Sequence, residues 1–332
     1  MPDPSLWVLI IIVILALGFG IVNGFNDAAN AIATVIGTRT LSPRNAIIMA
    51  AFFNMAGAAT GTAVAKTIGK GILISDAISF QTVGAALAAV IVWTTFATYK
   101  GLPVSLTHGF VAAMAASGVA AAGTGAVAWG VLGKVASAVV SAPVIGFIGG
   151  FAFMVLIMWL FRASIPAKAR RIFGNAQIAS SAFMAYSHGK NDGQMPIGII
   201  TMAFVIYTGE TAMWDSIPWW IIVISALSIS VGTMVGGWRV IRTLGMRITN
   251  LRPVHGFAAE ASAATVIEVA SHLGIPVSTT HCISSAVMGV GATRRMSAVR
   301  WGVAGNIVTA WVITFPVCGG LGYLFSWMLG LF

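Results

Sequence analysis

A six-residue stretch that occurs twice decides the fold: PVSLTH at residues 103–108 and PVSTTH at residues 276–281. Proline suits the first turn of a helix and hydroxyl residues suit its cap, so each copy is expected to begin a helix. Both copies lie within apolar sequence, where irregular backbone persists only if it is buried or lines a polar cavity. The two stretches therefore predict two helix starts that meet at a polar site.

The duplication extends over most of the chain. Further pairs keep the same order at offsets between 165 and 176 residues: Asn26-Asp27 with Asn191-Asp192, Gly61-Thr62 with Gly232-Thr233, Trp129-Gly130 with Trp301-Gly302, and Pro143 with Pro316. Ordered matches at a steady offset indicate an internal repeat. We predict one membrane domain with a first repeat over residues 1–161, a basic cytoplasmic linker over 162–175 and a second repeat over 176–332.

The composition indicates a membrane protein. Of 332 residues, 58% are hydrophobic and 8% charged, and the mean hydropathy is +0.94. Soluble domains carry about 25% charged residues, which excludes a cytosolic enzyme, a nucleic-acid-binding protein and a disordered scaffold. After a first apolar run at residues 6–22, apolar segments are predicted near residues 45–65, 77–98, 104–123, 135–161, 177–206, 218–238, 254–272, 276–292 and 303–331.

Basic residues predict which loops face the cytoplasm. Most arginines fall in three loops, at residues 162–171, 239–252 and 294–300, and these loops explain the net charge of +10. The turn with Glu210 and Asp215 then lies outside, whereas its counterpart with Arg39 and Arg44 lies inside. The two repeats are therefore expected to run in opposite directions, with both chain termini outside the inner cell membrane.

The same charge pattern predicts two hairpins. Segments 254–272 and 276–292 lie between two basic loops, so they are expected to enter and leave on the cytoplasmic side. Segments 77–98 and 104–123 form the corresponding hairpin from the opposite side. The predicted fold class is an all-α polytopic membrane protein with two inverted-topology repeats, each with about three spanning helices and one re-entrant helical hairpin. The alternative is that every segment spans fully.

The duplicated stretches have the chemistry to bind an anion. N–H groups and hydroxyls at a helix start point beyond the helix end, where the helix dipole favours negative charge. Two such starts facing each other predict a cradle for an oxyanion. The hydroxyls of this cradle belong to Ser105, Thr107, Ser278, Thr279 and Thr280. The alternative is that these residues only cap two short helices.

Two aspartates at equivalent positions form a second candidate site. Asp27 and Asp192 lie in apolar segments, where an ionisable side chain is costly and indicates function. The nearby amide side chains are those of Asn26, Asn30, Asn191 and Gln194. Carboxylate and amide oxygens suit a hard cation such as Na⁺, or a proton on the carboxylate. The alternative is a pair of structural carboxylates bound by helix N–H groups.

Four further polar residues each allow more than one interpretation. Glu260 is a candidate proton carrier or a partner for a helix end. Lys190 is placed to offset the Asp192 charge, to contact the anion, or to extend its ammonium group to the membrane surface. His188 and His281 are candidates for protonation near physiological pH or for neutral, hydrogen-bonded core residues. No cofactor or resident metal is expected beyond a transported H⁺ or Na⁺.

These signatures resemble those of the inorganic phosphate transporter family, of the bacterial low-affinity permease type, over nearly the whole chain. GFNDAAN at residues 24–30 and SHGKNDGQ at 187–194 are similar to the two family signatures, and GFAAE at 256–260 precedes the PVSTTH tip as in the family. The resemblance implies symport of phosphate with a cation, phosphate at the hairpin tips, the cation at the Asn-Asp pairs, and a homodimer.

The sequence departs from the family pattern at two positions. Leu106 stands where the tip often has Thr, and Met195 stands where many bacterial members have Lys. Members with the Asp-Gly-Gln form of the second signature tend to be proton-coupled and to transport metal–phosphate complexes, while others use Na⁺ and a few bacterial relatives resemble sulfate carriers.

We therefore interpret the chain as a secondary active symporter of inorganic phosphate, free or in a metal complex, coupled to H⁺ or Na⁺ by alternating access. A sulfate or other oxyanion symporter of the same fold is the nearest alternative, followed by a passive anion channel. An intramembrane hydrolase using Ser278 and His281 is disfavoured, because no acid lies nearby in the sequence to orient the histidine.

Overall fold

A computed structural model describes residues 6–74 and 77–331, and these residues are mostly helical. Within them the only β-type pairing is a single bridge between Leu73 and Val127. The helices are α1 Leu6–Gly37, α2 Pro43–Ala58, α3 Ala63–Gly71, α4 Phe80–Lys100, α5 Leu106–Ala122, α6 Trp129–Leu160, α7 Pro166–Asp192, α8 Gln194–Thr208, α9 Trp219–Val235, α10 Trp238–Arg242, α11 Pro253–His272, α12 Thr279–Ala292 and α13 Trp301–Leu329.

Several helices are long and apolar enough to cross a bilayer. Among the described residues, four qualify singly, namely α1, α4, α6 and α13, and two bent pairs qualify jointly. The pairs are α2 with α3, bent by 68°, and α9 with residues 238–247, bent by 64°. The segments predicted as continuous at 45–65 and 218–238 are thus interrupted, because hydropathy reports composition along a segment but not its direction.

The segment predicted at 177–206 also differs from a single span. Helix α7 begins at Pro166, inside the predicted linker 162–175, and ends at Asp192, while α8 begins at Gln194. A proline ring suits the first helical turn, which explains the start at Pro166. Pro196 has no N–H to donate to the carbonyl of Asp192, so the helical ladder is interrupted beside that carboxylate.

Glycines allow two pairs of helices to approach closely. A β-carbon added to Gly24 of α1 would lie 2.0 Å from the carbonyl oxygen of Ile229 in α9, and one added to Gly57 of α2 would lie 1.9 Å from that of Tyr186 in α7. Small residues permit such backbone contact in membrane proteins. Gly57 therefore permits the contact between α2 and α7, and Gly236 ends α9 with a φ of 67°.

Gly189→Ala is expected to destabilise the protein because the new methyl group would lie 2.0 Å from the carbonyl oxygen of Asn54. Overpacking against backbone costs about 2 kcal/mol, which lowers the melting temperature of a chain of this size by roughly 3 °C. Thermal unfolding of the purified protein measures this shift. Gly174→Ala, in the same helix with nothing within 4 Å of the added carbon, should not lower the melting temperature, since alanine favours the helix over glycine. An equal loss in both variants would contradict the prediction.

Two helix pairs bring the duplicated stretches together. Helix α4 packs on α5, and α11 packs on α12. The connections contain Gly101 and Gly274, with φ of 74° and 68°, a backbone conformation that glycine adopts without strain. The Thr280 hydroxyl oxygen lies 3.2 Å from the carbonyl oxygen of Val104. The two connections therefore meet, as the sequence predicts, and this meeting positions the candidate site.

Candidate functional site

Two carboxylates and one imidazole form the centre of the site. Asp27 lies in the middle of α1, and His188 and Asp192 lie one turn apart at the end of α7. Asp27 and Asp192 are each 2% exposed and His188 is 0% exposed. One potential ligand atom from each lies within 4.8 Å of the other two. The two aspartates predicted from the repeat are thus brought together, with His188 between them.

His188 contacts both carboxylates through one ring nitrogen. Its Nε2 atom lies 3.2 Å from Asp192 Oδ2 and 3.7 Å from Asp27 Oδ2. Its Nδ1 atom lies 2.8 Å from Asn54 Oδ1, and Asn54 Nδ2 donates to the Thr233 hydroxyl at 2.9 Å. Sequence reasoning missed Asn54 and Thr233 as partners of this centre, although Asn54 is an isolated buried amide in an apolar helix.

This chain of contacts fixes where the hydrogens lie. The Thr233 hydroxyl donates to the Ile229 carbonyl, so it accepts from the Asn54 amide. The Asn54 oxygen therefore accepts from Nδ1–H of His188. The remaining nitrogen, Nε2, faces two carboxylates, and three acceptors at this distance repel one another. The centre consequently requires at least one proton, or a bound cation, among these groups.

Threonines from both helix starts donate to the carboxylates. Thr107 of α5 donates to Asp192 at 3.2 Å, and Thr279 of α12 donates to the other oxygen of Asp192 at 2.8 Å. Thr280 donates to Asp27 at 3.0 Å. The hydroxyls predicted to bind an anion and the carboxylates predicted to bind a cation therefore form one hydrogen-bonded cluster instead of two separate sites.

Two asparagines of α1 add amide oxygens to the cluster. Asn30 donates to the hydroxyls of Thr279 and Thr280 at 3.1 and 3.0 Å, and Asn26 donates to the hydroxyl of Thr98 at 2.6 Å. The oxygens Asn26 Oδ1 and Asn30 Oδ1 are buried without a hydrogen-bond partner. Buried polar atoms are nearly always paired, so these two unpaired oxygens are free to serve as ligands for a hard cation, and that role stays a prediction.

The two serines of the predicted cradle cap helices. The Ser105 oxygen accepts from the backbone N–H of His108 at 3.3 Å, and the Ser278 oxygen accepts from that of His281 at 3.1 Å. Both serines are buried. Each hydroxyl still has a hydrogen to donate, so capping and contact with an anion are compatible at these positions.

Gln194 and Asn191 each have defined hydrogen-bond partners. The Gln194 side-chain oxygen accepts from the backbone N–H groups of Val64 and Ala65 at 2.9 and 3.2 Å, so it caps the start of α3. The first N–H groups of a helix lack helical partners, which explains this contact. The Asn191 side-chain oxygen accepts from the Ser271 hydroxyl at 2.9 Å, and its amide N–H groups donate to Asp192 Oδ1 and to the Val277 carbonyl at 3.0 Å each. The structure therefore gives the predicted cation ligand Gln194 a structural partner.

His281 lies in an aromatic cluster. Its ring stacks on Trp311 with centroids 3.9 Å apart and contacts the ring of His108 at 4.8 Å. In the described part of the chain, the carboxylates of Asp27 and Asp192 contact His188 and not His281. Of the two histidines proposed for protonation, the geometry therefore favours His188.

Glu260 and Lys190 each have a defined partner. Glu260 is fully buried and accepts from the hydroxyls of Thr34 and Ser180 and, at 3.4 Å, from the Gln177 amide. The Lys190 ammonium forms an ion pair with Glu268. Lys190 was predicted to offset Asp192, to contact the anion, or to extend its ammonium to the membrane surface, and the structure instead ties it to the neighbouring helix α11.

Buried carboxylates, an imidazole and amide oxygens at the meeting of two helix starts define the class of membrane transporters that bind ions inside a helical bundle. A model of the phosphate transporter family matches residues 23–322. The chain therefore belongs to the phosphate transporter family, and it is a transporter and not an enzyme. The geometry also disfavours the hydrolase hypothesis, because neither ring nitrogen of His281 forms a hydrogen bond with the described residues, the Ser278 hydroxyl included.

Known relatives cover almost the whole chain. A probable low-affinity inorganic phosphate transporter of Bacillus subtilis (strain 168) is 41% identical over 99% of both chains. A protein of the same description from Rhizobium meliloti (strain 1021) is 40% identical over 92% of this chain and 91% of its own. A solved structure, "The sodium-dependent phosphate transporter", superposes with a TM-score of 0.91 at 28% identity and covers 98% of this chain and 100% of its own.

Proposed function

We propose that the protein is a symporter that carries inorganic phosphate, free or as a metal complex, together with H⁺ or Na⁺. Family membership gives phosphate as the class of substrate. The proposed phosphate site consists of the two helix starts with Ser105, Thr107, Ser278, Thr279 and Thr280. The proposed cation site consists of Asp27 and Asp192 with the amide oxygens of the two asparagines of α1, Asn26 and Asn30.

One observation supports the coupling of the two ligands: the threonines of the phosphate site donate their hydrogens to the carboxylates of the cation site. A hydroxyl has one hydrogen, so a threonine that donates to a carboxylate cannot donate to phosphate at the same time. Phosphate binding therefore takes hydrogen bonds away from Asp27 and Asp192. Two buried carboxylates that lose these donors need a compensating charge.

The compensating charge is the coupling cation. A proton on the centre, or Na⁺ bound by the carboxylate and amide oxygens, would neutralise Asp27 and Asp192 and release the threonine hydroxyls for phosphate. Each ligand thus favours the binding of the other, which is the thermodynamic requirement for coupling. His188 supports the proton interpretation, because its Nε2 atom faces both carboxylates. The buried, unpaired oxygens of Asn26 and Asn30 support Na⁺, as does the description of the structural relative.

Glu260 is proposed as an accessory acidic group. Thr34, which donates to Glu260, lies one helical turn beyond Asn30 on α1, and Asp27 lies one turn before Asn30. Positions three and four residues apart share a helix face. This face of α1 therefore carries polar groups from the central carboxylates to Glu260, a path that suits the entry or exit of the cation.

Alternating access in a molecule built from two inverted repeats, residues 1–161 and 176–332, completes the proposal. The meeting of the two hairpin connections supports this arrangement, since each repeat contributes one helix start to the site. The re-entrant form of the hairpins, the inner membrane, the outside position of both termini and the homodimer stay predictions.

Phosphate is favoured over sulfate by the acceptors at the site. Sulfate is fully deprotonated at neutral pH, whereas phosphate retains a hydrogen that requires an acceptor. Asp27 and Asp192 supply such acceptors next to the proposed anion position. Excess sulfate should therefore fail to compete with phosphate for uptake.

Proteoliposomes containing the purified chain test the function directly. We expect labelled phosphate to accumulate against its own gradient when an inward H⁺ or Na⁺ gradient is imposed, and the two gradients are applied separately to identify the cation. Downhill flux without accumulation under either gradient would contradict symport and favour a channel. Equal competition by sulfate would contradict phosphate selectivity.

A further inference from the structure

A second cavity, which Asp27, His188 and Asp192 do not line, has the chemistry of an anion site. It has a volume of about 740 Å³, within the usual range of ligand cavities. Its lining includes four basic residues, Lys100, Arg239, Arg242 and Arg247. No carboxylate lines it, and none of the four forms a salt bridge in the described part of the chain. The cavity therefore has a strong positive potential without an internal counter-ion.

The segment that forms one wall of this cavity is amphipathic. Residues 238–247 turn away from α9 by 64°. The side chains of Val240, Ile241 and Leu244 are buried, whereas those of the basic and large residues at the other positions are exposed. The exposed positions are Trp238, Arg239, Arg242, Met246 and Arg247. Such a segment, bent out of the spanning direction with tryptophan and arginines on one face, is typical of helices at the lipid–water interface.

The opposite wall is the end of α4, next to the first hairpin connection. The Arg239 guanidinium lies 4.4 Å from the centroid of the Tyr99 ring and also donates to the Tyr99 carbonyl. The Thr243 hydroxyl donates to the Gly101 carbonyl at 3.0 Å. Tyr99 is 64% exposed. Basic groups in the cavity thus lie beside exposed aromatic and apolar side chains, which suits a ligand with a negative head and an apolar tail.

We infer that this cavity binds the phosphate headgroup of an acidic phospholipid such as phosphatidylglycerol. Basic pockets at the membrane surface between helices are known to suit such headgroups. The lipid phosphate would lie among Lys100, Arg242 and Arg247, and its acyl chains would lie along Tyr99, Trp238 and Met246. Bound there, the lipid would bridge the first hairpin to the bent segment after α9. Free phosphate has the same charged group as the lipid head but has no apolar part to contact the exposed apolar side chains.

Lipid binding to the purified protein, measured by native mass spectrometry, tests the inference. The delipidated transporter is titrated with phosphatidylglycerol and, separately, with phosphatidylcholine. We expect Arg242→Gln/Arg247→Gln to weaken phosphatidylglycerol binding roughly thirtyfold, the effect of removing two surface cations. The matched control is Arg294→Gln/Arg295→Gln, which removes two exposed arginines from a smaller, polar cavity of about 350 Å³ and should change binding less than threefold.

Three results would overturn the inference. Equal weakening by both double variants would indicate general attraction to positive charge, and equal affinity for phosphatidylcholine would indicate apolar adhesion only. Displacement of the lipid by millimolar inorganic phosphate would identify a site for the free anion. Because a double variant can misfold, Lys100→Gln on the opposite wall provides a second test. It is expected to weaken phosphatidylglycerol binding about fivefold while gradient-driven phosphate uptake persists.

Discussion

Asp192→Asn is expected to reduce gradient-driven phosphate uptake about a hundredfold. Asp192 accepts hydrogen bonds from Thr107 and Thr279 and lies 3.2 Å from His188. Removing one partner of a buried charged cluster costs about 3 kcal/mol or more, and each 1.4 kcal/mol corresponds to about a factor of ten. The initial rate of labelled phosphate uptake into proteoliposomes measures the loss. Asp27→Asn is expected to act in the same direction, because Asp27 occupies the other side of the same imidazole.

The matched control for this substitution is Asp215→Asn, which makes the same chemical change in an exposed turn. It should leave uptake unchanged. Uptake by Asp192→Asn above one tenth of the rate of the unmodified chain would contradict the proposed coupling role. Reduced uptake accompanied by loss of folded protein would show a structural effect, so the melting temperature of each variant is measured in parallel.

Thr280→Val is expected to weaken phosphate transport about thirtyfold, whereas Thr280→Ser should retain most of it. The Thr280 hydroxyl accepts from Asn30 and donates its one hydrogen to Asp27, and its oxygen also lies 3.2 Å from the carbonyl oxygen of Val104. Valine has nearly the same shape but no hydroxyl, so buried polar partners are left unpaired at a cost of about 2 kcal/mol. Serine keeps the hydroxyl and loses only a methyl group. The KM for phosphate and the maximal uptake rate are compared for the two variants.

Thr265→Val provides the control for a threonine on the same hairpin. Its side chain is exposed and donates only to the Ala261 carbonyl within its own helix. This variant should transport phosphate like the unmodified chain. If Thr280→Ser and Thr280→Val lose activity equally, the methyl group and not the hydroxyl is important, and the proposed sharing of hydrogen bonds would be wrong.

Much of the fold can be predicted from the sequence because the stretches that indicate helix starts occur twice. The paired stretches at 103–108 and 276–281 predict two helix starts, and both form, with Ser105 and Ser278 as their caps. The breaks after Ala58 and Asp192 were not predicted. Hydropathy is an average over a window, and a short polar or glycine-containing break between two apolar helices changes that average little.

The sequence predicts which residues belong to the candidate site, but it does not predict the hydrogen bonds between them. Asp27, Asp192 and the threonines are conspicuous because polar residues are rare in this chain. Their mutual hydrogen bonds join residues 85 to 253 positions apart, and such long-range contacts depend on packing that local patterns do not specify. The central position of His188 and the role of Asn54 follow from the close approach of α2 and α7, which only the three-dimensional structure reveals.

The contacts between helices show how the polypeptide is assembled. Helix α1 packs on α9, α2 on α7, α5 on α13 and α6 on α12. In every one of these pairs, one helix precedes residue 162 and the other follows residue 165. When only the first 161 residues have left the ribosome, none of these helix pairs can form. In the folded molecule the two halves of the sequence are therefore not separate packing units. The proposed alternating access would therefore separate interleaved groups of helices, and not residues 1–161 from residues 176–332.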